Sequence, residues 1–267
     1  MDADKLLSEL ALWQAAGRRL RLWWRDDDAV ADTPALRRLI AIAEAHAMPL
    51  SLAVIPAALE ASLVEASDHP LVAILQHGYA HRNHAAPGGR AVECGGARDD
   101  AAIMAELADG RARLQGRFGS RALPVLTPPW NRIEDRVLHR LHAAGYRGVS
   151  GHGERRLPRG SLLIEAHTHL DILRWKGGAH FAGAAKLIGA MADELRLRRE
   201  RGDDPDEPYG LLTHHLVHDA PAWAFLEQLL AVLAGHPVIA PVDAGTLFGL
   251  TSPSAGTMSG LVGGTAA

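Results

Sequence analysis

The pattern that most constrains the fold of this chain is a recurring one. Short apolar runs stop abruptly at polar clusters and are separated by stretches with helical spacing. Leu20 to Trp24, Leu50 to Ile55, Leu71 to Gln76, Pro124 to Thr127 and Tyr209 to Thr213 each read as a buried strand. They are too short for helices and carry no polar alternation. Thr33-Pro34 supplies an N-cap followed by proline at the first helical position, and Leu36, Leu39, Ile40 and Ala43 continue an apolar stripe behind it. Further helices are expected over 57–66, 99–118, 134–144, 180–201 and 221–234, with shorter strands over 146–149, 162–165 and 238–240. Alternating strands and helices predict a mainly parallel sheet covered by helices, and in such folds the loops at the carboxyl ends of the strands gather on one face. With 267 residues, 48% of them hydrophobic, the chain can bury the core of one large α/β domain.

The polar clusters carry the chemistry. Asp26-Asp27-Asp28 follows the Trp-rich run, and three adjacent carboxylates repel one another unless a cation or a proton-transfer role offsets the cost. A later run ends in Gln76-His77-Gly78-Tyr79-Ala80-His81, with two imidazoles four positions apart. A carboxylate and two neutral imidazoles make a three-ligand set with a coordination position left for water, as in a hydrolytic rather than a structural metal site. Thr127-Pro128-Pro129-Trp130-Asn131 and the histidines after Thr213 stand at two further strand ends. Alone, an acidic triplet is more often a solvated turn, and a histidine pair at this spacing arises by chance in a chain with 15 histidines. The conjunction after successive strands points to one site.

Other features narrow the function. A net charge of -3 gives no basic field for nucleic acid or an anionic membrane. The single cysteine, Cys94, cannot form an internal disulfide, and no apolar run is long enough to span a bilayer. Met1 to Ala16 carries acids and lacks the pattern of a secretory signal, so a cytoplasmic location is expected. The expected organisation is an N-terminal helix over 1–19, a catalytic domain over 20–250 and a flexible tail over 251–267. Residues 85–97, rich in Gly and Pro, read as a functional loop beside a strand end.

In order and kind, the four clusters resemble the motifs of the polysaccharide deacetylase family (NodB-like, carbohydrate esterase family 4), over roughly residues 20 to 245. The resemblance implies a distorted (β/α)7 barrel. It makes Asp26 the general base and Asp27, His77 and His81 the ligands of one divalent metal, with zinc expected. The Trp130 backbone amide would help hold the oxyanion and His214, in Leu212-Thr213-His214, would be the general acid. Asp28, Pro129, Asn131, Asp171 and Trp175 are expected to support the site or bind substrate, Asp171 by orienting the catalytic histidine. The chain departs from the family at three points, one being the order Asp171-Ile172-Leu173-Arg174-Trp175 where the family has an aspartate preceding a tryptophan. Asp28 stands where the first motif has glycine, so the base and ligand pair is either Asp26 and Asp27 or Asp27 and Asp28. Thr127 replaces the arginine that pairs with the base, leaving Arg25, Arg132 and Arg174 as candidates. His215 and His218 compete with His214.

The implied activity is hydrolysis of a carbon–nitrogen bond that is not a peptide bond, on a small N-acetylated sugar or oligosaccharide, with no nucleic-acid or membrane partner. Two rivals of other classes are a non-catalytic carbohydrate-binding barrel, motivated by the missing arginine and the altered order from Asp171 to Trp175, and a two-metal phosphoesterase, motivated by the three acids and several histidines.

Overall fold

The structure, a computed structural model, describes residues 2–202 and 207–250. In chain order, α1 (Asp4–Ala15), β1 (Leu20–Ala29), α2 (Pro34–Ala45), β2 (Leu50–Val54), α3 (Ala61–Ala66), β3 (Val72–His77) and α4 (Asp100–Phe118) form the first half. The second half holds β4 (Ala122–Thr127), α5 (Asp135–Leu138), β5 (Gly148–Val149), β6 (Ile164–Glu165), β7 (Leu170–Asp171), β8 (Leu173–Arg174) and β9 (His180–Phe181). It ends with α6 (Ala184–Arg201), β10 (Tyr209–Thr213), α7 (Ala220–Ala234), β11 (Ile239–Pro241) and α8 (Ala244–Leu247).

The main sheet runs in the order β6-β5-β4-β3-β2-β1-β10-β7, with β11 also paired to β1, and every pairing in it is parallel. Its two ends belong to one stretch of chain. Ile164 and Glu165 pair with β5, and Leu170 and Asp171 pair with β10. The sheet is thereby curled into the distorted barrel that the motif order implies. β8 and β9 form a separate antiparallel hairpin beside it.

Strand alternation sorts the side chains into layers. Leu20, Leu22 and Trp24 of β1 join Leu50, Leu52 and Val54 of β2 in an outer core beneath α1, α2, α6 and α7. Trp23, Ala53, Leu75, Val125 and Ala166 point the other way, into the barrel, and α8 closes that end with Leu247 and Phe248. Phe248 meets the Trp23 ring edge-on, with centroids 6.2 Å apart. Small residues inside the barrel leave room for Trp23 and, above it, for the fully buried side chain of Arg25. α1 belongs to the same outer core through Leu6, Leu10 and Trp13, and the Trp13 indole donates to the Leu195 carbonyl of α6.

Several boundaries differ from the sequence reading. β1 continues through the acids to Ala29 instead of stopping before them. The helix expected over 134–144 holds only for Asp135–Leu138, after which Arg140 and Leu141 bond back three residues to Val137 and Leu138 as turns. α6 starts at Ala184 because His180 and Phe181 are drawn into the hairpin with β8 and Gly183 breaks the backbone at φ 96°. The expected tail over 251–267 and part of the acidic stretch after Gly202 lie outside the described residues.

Candidate functional site

Parallel register sets the strand ends level. Asp26 is opposite Thr213 between β1 and β10, so Asp27 and His214 come next on adjoining strands, and His77 is opposite Thr127 between β3 and β4. These ends open on a cleft of about 620 Å³ whose walls include Asp27, Asp28, His77, His81, Trp130, Asn131, Asp171, Trp175 and His214. The clusters expected to converge do so.

Within the acidic triplet, the two residues that face the mouth are Asp27 and Asp28, one position along from Asp26 and Asp27. Asp28, not Asp27, meets the two imidazoles: its Oδ1 lies 3.1 Å from His77 Nε2 and 3.4 Å from His81 Nε2. Ligand atoms of these three residues all lie within 4.8 Å of one another, the one such cluster among the described residues. Asp27, not Asp26, shares the mouth with them, and Asp26 is fully buried on the outer face. The physical reason is the strand period. Arg25 and Asp27 project inward with Trp23, whereas Asp26 projects outward with Leu22 and Trp24. A break of register between Asp26 and Ala29, with Asp28 at φ 71°, then turns Asp28 back to the mouth.

The His77 ring is fixed by a strand end and the His81 backbone by a loop. His77 Nδ1 donates to the Thr127 carbonyl at 3.0 Å, which leaves Nε2 with its lone pair facing Asp28. His81 sits at φ 54° in a loop that Glu93 organises by accepting from the backbone N–H groups of Tyr79, Ala80 and Arg82. Gly78 is required there, since it adopts φ 55° and a Cβ would collide with the Glu93 carboxylate and the Pro129 ring. Burial raises the pKa of Asp28, and the positive charge that His77, His81 and His214 take on when protonated lowers it, leaving it below the usual carboxylate range. Asp28 Oδ1 is nonetheless buried without a hydrogen-bond partner. An orphaned carboxylate oxygen facing two imidazole nitrogens is the donor set of a divalent cation, so these residues fit the metal that the motifs imply.

Arg25 fills the place of the missing motif arginine. Its Nη2 donates to Asp27 Oδ2 at 2.9 Å, and its Nε stands 2.8 Å from Asp27 Oδ1 in the same buried ion pair. Its remaining N–H groups reach the Ser150 carbonyl and hydroxyl, the Gly151 carbonyl and Asn131 Oδ1. Arg132 and Arg174 take no part. The signal was available: Arg25 precedes Asp27 by two positions on one strand, hence on one face.

Asp26 has other work. It accepts from Thr213 Oγ1 at 2.6 Å, from the His215 backbone N–H at 3.0 Å and from His215 Nδ1 at 2.5 Å. Its burial would raise its pKa, but the His215 charge and hydrogen bond, then Thr213 and His218, lower it overall, while His215, itself penalised by burial, is raised by Asp26. His215 is therefore the partner of Asp26 outside the mouth, and His214 is the histidine that enters it.

His214 Nε2 lies 4.0 Å from Asp27 Oδ2, and the Trp175 ring packs edge-on against it at 4.6 Å. Asp171 was expected to orient this histidine. Instead it accepts from Trp175 Nε1 at 2.8 Å, so it acts on His214 only through the indole. Pro129 is buried, and Trp130 and Asn131 both adopt φ 55°, which lays the Trp130 ring against His81 at 4.3 Å. Left-handed non-glycine residues cluster at Asp28, His81, Trp130 and Asn131, all lining this cleft. Such strain persists where the surroundings over-determine it, typically at functional sites. Sequence reasoning missed Glu93, Ser150 and His152; the first two build the frame and the last joins the cleft wall.

A curled parallel barrel with this polar mouth defines the NodB-like fold of the polysaccharide and peptidoglycan deacetylases. Solved structures agree. A protein from Mycobacterium smegmatis assigned as a polysaccharide deacetylase superposes with TM-score 0.63 at 17% identity, covering 87% of this chain and 90% of that one. An acetyl xylan esterase of family 4 from Clostridium thermocellum, solved with a cobalt ion, gives 0.55 at 13% identity over 86% and 90%. A peptidoglycan N-acetylglucosamine deacetylase solved with an N-hydroxybenzamide gives 0.53 at 12% identity over 90% and 97%. No protein-family model and no curated protein matches the sequence.

Proposed function

We propose that this protein is a metal-dependent hydrolase that removes acetyl groups from N-acetylated sugars or short oligosaccharides, cleaving a carbon–nitrogen bond that is not a peptide bond. The observation that carries the reading is the meeting of Asp28, His77 and His81 beside the Arg25-held Asp27, with His214 on the adjoining strand. The family 4 neighbours support the substrate class: one is an esterase of acetylated xylan, another a deacetylase of N-acetylglucosamine in peptidoglycan.

Asp28, His77 and His81 would hold one divalent ion, with zinc favoured by two imidazoles and a carboxylate. When bound, such an ion lowers the pKa of water and polarises a carbonyl. Asp27 takes the proton of the attacking water, its carboxylate fixed in direction by the Arg25 fork. The Trp130 backbone N–H donates to the oxyanion; one such donor is worth roughly 3 to 4 kcal/mol. Protonated His214 gives its Nε2 proton to the leaving nitrogen as the carbon–nitrogen bond breaks, so the products are a free amine and acetate.

The rivals lose their motivation. Arg25 supplies the guanidinium whose apparent loss suggested a non-catalytic barrel. The acids that a second ion would need are engaged, Asp27 by Arg25 and Asp26 by His215. The test is metal analysis of the purified protein combined with acetate release from N-acetylated sugars. One ion per chain with acetate release is expected; protein loaded with metal that releases no acetate from any of them overturns the reading.

A further inference from the structure

The wall of the cleft on the side of Trp130 carries two arginines that the hydrolysis does not use. Arg90, from the loop over residues 85–97, and Arg132, from the turn after Asn131, both line the catalytic cleft. Both also line an adjoining hollow of about 380 Å³, which shares Asn131 and His152 with that cleft. No carboxylate among the described residues lies within ion-pair distance of either, although most arginines of the chain have one. The nearby Glu134 is engaged with the Gly96 N–H and Arg136.

Arg132 is also held in place. Its Nη1 donates to the Ala91 carbonyl at 2.9 Å, and its Nε is buried with no hydrogen-bond partner. Burial and the neighbouring charge of Arg90 both act against its ionised form. Two like charges kept together beside a cleft, one with an unmet buried donor, form an arrangement that a bound anion relieves. On the opposite wall, Trp175 is 48% exposed although Asp171 fixes its indole, and a rigid exposed aromatic face can pack against a sugar ring.

We infer that Arg90 and Arg132 form an anion subsite, so that the preferred substrate is an N-acylated sugar bearing a carboxylate or phosphate close to the acylated amine. This rests on the hydrolase reading for the identity of the sugar, but not for the existence of the subsite. The test is calorimetric binding to the metal-loaded Asp27→Asn protein of N-acetylglucosamine, its 1-phosphate and N-acetylmuramic acid, whose anions stand on carbons next to the acylated amine and separate the neutral, phosphate and carboxylate cases. The same titrations are run with Arg90→Gln and Arg132→Gln added. Arg90 is exposed, so its substitution keeps the fold even if loss of the Arg132 bond to Ala91 disturbs the loop. At least one anionic sugar should bind at least tenfold more tightly than the neutral one, an advantage weakened by salt, and each substitution should remove most of it. Equal binding of neutral and anionic sugars, a preference that survives both substitutions, or no binding by either anionic probe would overturn the subsite. Acetate release by the unsubstituted enzyme is scored separately, so an anion preference without hydrolysis would defeat the hydrolase reading and leave the subsite standing.

Discussion

Two carboxylates two positions apart on one strand live in opposite circumstances. On the outer face, Asp26 is saturated: Thr213, the His215 backbone and the His215 imidazole meet its two oxygens in full burial, and Trp24 Nε1 backs the Thr213 hydroxyl at 2.9 Å. At the mouth, Asp28 keeps a buried oxygen with no hydrogen bond, on a left-handed backbone, facing two imidazoles. The first arrangement is complete and holds a loop in place. The second leaves a carboxylate oxygen and two imidazole nitrogens facing one another at the mouth. Asp26 and Asp28 share a strand parity, and they divide because the break of register before Ala29, with Asp28 at φ 71°, turns the second of them away from the outer face and back to the mouth.

This contrast can be broken experimentally. The largest effect is expected from Asp28→Asn, which should lower bound metal from one ion per chain to under about 0.1 and turnover by roughly 10⁴-fold. Mass spectrometry for metal and acetate assays read the two, and full metal occupancy in this variant would remove Asp28 from the ligand set. Asp27→Asn should retain the ion while turnover falls about 10³-fold, within the range for a general base; loss of metal instead would move Asp27 into the ligand set. Asp26→Ala should spare the metal but cost about 3 to 5 kcal/mol in urea unfolding, since it strands His215 in a buried site. A marginal loss of stability with abolished turnover would restore Asp26 to catalysis.

A smaller effect should appear on acidification. His169 Nδ1 accepts from the Gly210 N–H at 3.0 Å and therefore must stay unprotonated; burial, with Arg198 and two histidines nearby, lowers its pKa to about 2. The unfolded chain takes up that proton below about pH 6.5 and the folded chain does not, so stability is intact above pH 6.5 and declines as pH falls towards 2. The slope from this residue is at most about 1.4 kcal/mol per pH unit, and His169→Gln should flatten the decline in urea midpoints between pH 6.5 and 4. Smallest of all, Trp175→Ala should raise KM about tenfold while leaving metal content unchanged, as measured by initial rates.

How much was legible follows from the range of the interactions involved. The strands ending at Gln76, Thr127 and Thr213, the N-cap at Thr33 and the long α4 depend on neighbours in sequence, and they stand close to where periodicity and capping put them. The short β7, the β8–β9 hairpin and the truncated α5 depend on partners far along the chain, and local pattern gave them little signal. At the site, His77, His81, Trp130 and His214 were identifiable from motif and position and do line the cleft. The triplet was not, because its reading depends on which face of β1 looks inward.

The sequence by itself determined that strands and helices alternate and that polar clusters stand where the strands end, since apolar periodicity and abrupt polar boundaries are local properties. Tertiary structure decided which carboxylate meets the histidines, that Arg25 replaces a distant arginine, and that Asp171 reaches His214 only through Trp175. Those outcomes turn on strand parity, one backbone residue at positive φ and the reach of a guanidinium across a curled sheet. Each is set by packing between segments far apart in the chain.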